Sequence, residues 1–76
     1  MNKEDFFNEV KIIFKNYSGD INLNLSPNEV EDWDSMGHLN LIMSMEKKYN
    51  ISIEFEEAIM IDNLESLFNL INLKVQ

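Results

Sequence analysis

The chain has 76 residues, 45% of them hydrophobic, with fourteen acidic side chains against six basic and a formal charge of −8. This length makes residues 1–76 one domain, with a core too small to wall off a deep, dry active site, and the apolar content excludes disorder. The charge makes nucleic acid and anionic lipid poor partners and basic protein patches good ones, while the absence of cysteine removes disulfides, thiolate nucleophiles and zinc–thiolate sites.

The opening residues, Met1-Asn2-Lys3-Glu4-Asp5, show no basic start leading into an apolar run, so no secretory signal is expected. From Phe6 the apolar positions Phe6, Val10, Ile13, Phe14 and Tyr17 recur at helical spacing, which predicts a first amphipathic helix stopped by Gly19. Between Asp20 and Asp34 the periodicity fades, and Asn, Ser, Pro and Asp accumulate in a long connection. Within it, Ser26-Pro27-Asn28-Glu29 has the form of a capping box with proline at the first helical position, which predicts one short turn.

A second helix is expected from Ser35 to about Tyr49, carrying Met36, Leu39, Ile42, Met43 and Met45 inward and ended by Asn50. Ile51 and Ile53 form a brief apolar stretch, and Phe55 to Ile61 makes a short third helix. The longest apolar run, Ala58 to Ile61, is far too short to span a bilayer. Asp62-Asn63-Leu64-Glu65 again has the shape of a capping box, opening a last helix with Leu64, Leu67, Phe68 and Ile71 on one face. No window alternates like a strand. The expected fold is all-α: a small bundle of three main helices and one short one, monomeric and cytoplasmic.

The chemistry concentrates in Trp33-Asp34-Ser35-Met36-Gly37-His38-Leu39, which sets a serine at the start of the second helix. A hydroxyl there is exposed, fixed in direction and beside unpaired backbone N–H groups that favour a phosphate. The pattern suits covalent attachment of a phosphate-linked group better than catalysis by the chain itself. Ser35 can equally serve as a helix N-cap, or Asp34 can. Asp34, Ser35 and His38 are also the residue types of a hydrolytic triad, but Trp33 stands where a nucleophile elbow needs glycine, and no strand or oxyanion loop is evident. An EF-hand loop beginning at Asp32 fails because Met36 and Met43 fall at two ligand positions. Met36, Met43, Met45 and Met60 are read as core in preference to a deformable cargo pocket. Trp33 is read as packing over the bundle end, or touching a partner through its rim.

Asp34-Ser35-Met36, the helix that follows, Glu46, Tyr49, Ile53, the acidic pair Glu56-Glu57 and the Leu64–Ile71 helix together resemble an acyl carrier protein. The likeness covers nearly the whole chain and is tightest from Trp33 to Ile71. The form Trp-Asp-Ser-Met-Gly-His-Leu resembles stand-alone carriers of specialised pathways more than the housekeeping fatty-acid carrier. The resemblance implies that a magnesium-dependent phosphopantetheinyl transferase moves 4′-phosphopantetheine from coenzyme A onto Ser35, with Asp34 helping to orient the transfer. The thiol of that arm would hold acyl or aminoacyl groups as thioesters and present them to loading and transferase enzymes with basic docking patches. Trp33, Met36, His38, Glu46, Glu56 and Glu57 are the expected partner contacts. The carrier itself would be no enzyme. The competing reading is a small acidic interaction module in which Ser35 is only a helix cap.

This sequence departs from the family in its second helix, which carries Gly37, Asn40, Lys47 and Lys48 and leaves Glu46 as its one acid. Negative charge gathers instead in Glu29, Glu31, Asp32 and Asp34 before the helix, and in Glu54, Glu56 and Glu57 after it. The basic pair is expected to weaken docking to ordinary fatty-acid enzymes and to favour a dedicated set. Gly37 is expected to cost this helix up to about 1 kcal/mol near its start, leaving that end mobile unless close packing demands it.

Overall fold

The computed structural model describes residues 1–76 as four α-helices and one 3₁₀ turn, with no strand. Helix α1 spans Lys3–Ile13, the 3₁₀ turn Pro27–Glu29, α2 Ser35–Tyr49, α3 Phe55–Ala58 and α4 Leu64–Lys74. This is the expected all-α bundle of three main helices and one short one. Its core draws on Phe6, Val10 and Phe14 from the first segment, Leu41, Ile42 and Met45 from α2, and Leu64, Leu67, Phe68 and Ile71 from α4. Phe6 meets Phe68 edge-on, with ring centroids 5.2 Å apart.

The long connection is part of this core rather than a loose loop. Leu25, Val30 and Trp33 are buried with the helices. The carbonyls of Leu25 and Leu23 accept the backbone N–H groups of Leu64 (3.0 Å) and Glu65 (2.9 Å), two donors that the first turn of α4 cannot satisfy itself. Asn63 caps the same helix by accepting from the Ser66 N–H at 2.8 Å. The box expected around Asp62 and Glu65 therefore sits one residue later, with Asn63 and Ser66 as its reciprocal pair. The Ser26-to-Glu29 box forms as expected: the Glu29 carboxylate accepts from the Ser26 N–H at 2.9 Å. Asn50 ends α2 in the left-handed region, at φ 55°.

Four expectations are corrected. Helix α1 stops at Ile13, well before Gly19, because Phe14 turns out of helical geometry (ψ 52°) to pack its ring 5.3 Å from that of Trp33. Helix α3 closes after Ala58, and turn bonds carry the chain on to Ile61. In α2 the inward face is Gly37, Leu41, Ile42 and Met45, whereas Met36, Leu39 and Met43 are 69%, 54% and 52% exposed. Apolar residues occupy both sides of α2, so periodicity alone does not choose between them. Gly37 decides it by lying against the Asp32 carbonyl. Of the methionines read as core, only Met45 is buried; Met36, Met43 and Met60 face outward.

Candidate functional site

Ser35 lies at the first position of α2, and Asp34 is the N-cap that precedes it. The Asp34 carboxylate accepts the Gly37 N–H at 2.9 Å, and its carbonyl accepts the His38 N–H at 2.8 Å. Since Asp34 performs the capping, the reading of Ser35 as N-cap is corrected. The N–H groups of Ser35 and Met36 point out of the helix end without an intrahelical acceptor, as first-turn donors do. Ser35 is exposed, and its hydroxyl is engaged by no protein group. Replacing Asp34 with alanine should destabilise the fold by about 0.5–2 kcal/mol through the lost cap, read as a lower midpoint in urea.

Beside Ser35 runs a groove of about 410 Å³ walled by Trp33, His38, Ile59 and Ile61. Ile59 is largely exposed along it. The sequence does not single it out, because Ile59 looks no different from its neighbours in the apolar Ala58–Ile61 run, and the one-turn α3 cannot bury all of them. The groove's far wall is fixed by a relay. The buried Trp33 indole N–H donates to His38 Nδ1 at 2.9 Å, and the ring planes stack with centroids 6.2 Å apart. With Nδ1 accepting, the proton resides on Nε2, which donates to the Ala58 carbonyl at 2.9 Å. Both ring nitrogens are thereby engaged, and His38 is not available as a base for the Ser35 hydroxyl. The triad is not assembled.

This relay ties the start of α2 to the end of α3 across twenty residues of sequence. Converting His38 to alanine leaves the indole N–H, on a side chain 4% exposed, without an acceptor. The expected cost is about 1–3 kcal/mol. Trp33 is the sole tryptophan, so its fluorescence should shift in the same variant as water reaches the indole.

The expected docking residues divide sharply. Met36 and Glu56 are exposed and free. Trp33 and His38 are turned to internal packing, so the indole rim is not offered to a partner. Glu46 is drawn into structure, its carboxylate accepting the Ile53 N–H at 2.9 Å and bracing the chain after α2. Glu57 accepts the Glu54 N–H at 2.9 Å and pairs with Lys74 at 2.9 Å. The Glu54 backbone bond, followed by Lys74, holds the Glu57 carboxyl below the ordinary carboxylate range. No set of three or more histidine and carboxylate side chains is grouped to hold a metal ion. No helix is long and apolar enough to cross a membrane.

No family model and no curated protein sequence matches the chain. Its structure, however, is similar to the solution NMR structure of a holo acyl carrier protein from Geobacter metallireducens, with a TM-score of 0.84 and 28% sequence identity. The similarity covers 95% of this chain and 83% of that one, and so takes in all four helices and the long connection together. Across nearly its whole length, this chain has the fold of an acyl carrier protein.

Proposed function

We propose that Ser35 carries a 4′-phosphopantetheine arm on which the protein ferries acyl or aminoacyl groups between the enzymes of a specialised pathway. The observation that carries this reading is an exposed, unengaged hydroxyl at the first position of a helix whose cap is supplied by its neighbour. The open N–H groups of Ser35 and Met36 and the helix dipole favour a phosphodiester there by about 0.3–1 kcal/mol. One Asp34 oxygen is held by the Gly37 N–H, which leaves the other free to meet the magnesium ion of a transferase. The groove lined by Trp33, His38 and Ile59 gives the root of the arm a wall to lie against. When attached, the arm supplies the thiol that this cysteine-free chain lacks.

The chain's own residues present this site rather than react at it. Asp34 fixes the first turn of α2, on which the Ser35 side chain stands, through the cap. The His38 relay holds α3 beside it, and exposed Met36 and Ile59 offer apolar contact to a docking enzyme. The exposed acids Glu29, Glu31 and Asp34 lead into α2 and Glu56 lies in α3, and together they favour partners with basic patches. A specialised rather than housekeeping role is supported by Lys47 and Lys48 in α2, which oppose such patches at its far end. The test is to incubate the protein with coenzyme A, Mg²⁺ and a promiscuous phosphopantetheinyl transferase and weigh it intact. A gain of one phosphopantetheine is expected, and no gain refutes the proposal.

A further inference from the structure

Away from the Ser35 site, α1 and α2 leave between them a second groove, of about 560 Å³, lined by Ile12, Lys15, Asn40, Met43, Ser44 and Lys47. Two of its apolar side chains are unsatisfied by the fold: Ile12 is 65% exposed and Met43 52%. Asn40, Met43, Ser44 and Lys47 lie at i, i+3, i+4 and i+7, one continuous stripe of α2. The charge here is opposite to that around Ser35. Lys15 and Lys47 are exposed and form no ion pair, the chain's one salt bridge being Lys74 to Glu57. One carboxylate, Glu9, comes near; it accepts the Ser44 hydroxyl and keeps its charge, so two unpaired lysines stand against one acid here. A strongly acidic protein thus keeps a lysine-rimmed apolar groove at the end of α2 remote from the attachment serine.

We propose that this groove docks an apolar ridge flanked by carboxylates on a partner protein. On the carrier reading that partner is an enzyme that visits Ser35, lying along α2 with basic groups toward the serine and acidic groups toward Lys15 and Lys47. Such a partner is complementary at both ends, whereas one that is basic throughout meets repulsion at the groove. The two signs fix the direction in which a partner lies on α2, and with it the direction from which Ser35 is approached. A second copy of this chain is a poorer occupant, since each copy carries −8. Anionic lipid is poorer for the same reason.

The test uses two synthetic amphipathic helical peptides that share a leucine face. One carries lysines at one end and glutamates at the other, and its counterpart carries lysines at both. Each is titrated into ¹⁵N-labelled protein at low salt. The mixed-charge peptide is expected to shift the amides of Ile12, Asn40, Met43 and Lys47. It should bind at least tenfold more tightly than its counterpart, and the variant K15E/K47E should remove that preference. Equal binding of the two peptides, or a preference that survives in K15E/K47E, overturns the proposal. So do shifts in those amides that follow protein concentration alone, marking a second copy, or that arise with phosphatidylglycerol vesicles and not with peptide. K15E/K47E should still be loaded at Ser35 by the transferase, read by intact mass. A wild-type chain that fails to load refutes the carrier reading and leaves the peptide result to stand by itself.

Discussion

Ser35→Ala is expected to eliminate phosphopantetheine loading entirely while leaving the thermal midpoint within about 4 °C of the parent. The two halves of this result come from different observations. Loading is lost because the other serines are not equivalent to Ser35: Ser26, Ser44 and Ser66 have their hydroxyls in hydrogen bonds to Glu29, Glu9 and Asn63 respectively. Ser18 and Ser52 lie outside any helix start. Stability is retained because Ser35 makes no side-chain hydrogen bond, and Asp34 supplies the cap. An exposed substitution away from caps and core changes stability by about 0.5 kcal/mol or less. Were Ser35 the cap of a plain interaction module, the same change would cost about 0.5–2 kcal/mol. Intact mass and a melting curve on one preparation separate the two.

Gly37→Ala should destabilise this chain markedly, and more than the same methyl at Gly19, where only the Tyr17 side chain stands in the way. A Cβ at Gly37 would lie 1.8 Å from the Asp32 carbonyl oxygen and 2.9 Å from its carbon, both backbone atoms that cannot swing aside. Helix propensity argues the other way, since alanine is favoured over glycine by about 1 kcal/mol inside a helix. The clash decides the sign. Forcing an extra carbon into a closed contact costs about 1–3 kcal/mol and more where backbone must move, so a net loss of about 2 kcal/mol is expected. For a domain this small, that is a fall in midpoint on the order of 10 °C. The residue that must yield, Asp32, stands just before Trp33, Asp34 and Ser35, so loading by the transferase should slow as well. A variant as stable as the parent would show that the Asp32–Gly37 contact does not hold the site.

Much of this was legible in the residues. The helix order, the Asn50 stop, the Ser26–Glu29 turn and the position of Ser35 at a helix start are all written in local pattern, because caps and periodicity act over four residues or fewer. In the sequence Gly37 is compatible with either a mobile start or a close contact, and the Asp32 carbonyl settles it as contact. What was not legible depends on residues distant in sequence. The inward face of α2 is chosen by neighbours, since Met36, Leu39 and Met43 look as apolar as Leu41, Ile42 and Met45. Helix α1 ends early because Phe14 finds Trp33. His38 reads as a surface residue until Ala58 is brought to its ring by α3. Glu46 likewise reads as a docking acid until the Ile53 N–H is seen on its carboxylate.

At the centre of the account is a single oxygen atom, the Ser35 Oγ, chosen from among six serines by its place at the head of α2. Fragmentation mass spectrometry of the loaded protein locates the added group directly. One phosphopantetheine is expected on the fragment containing Ser35 and none on fragments bearing Ser18, Ser26, Ser44, Ser52 or Ser66. A modification found on any other serine, or distributed among several, would contradict it.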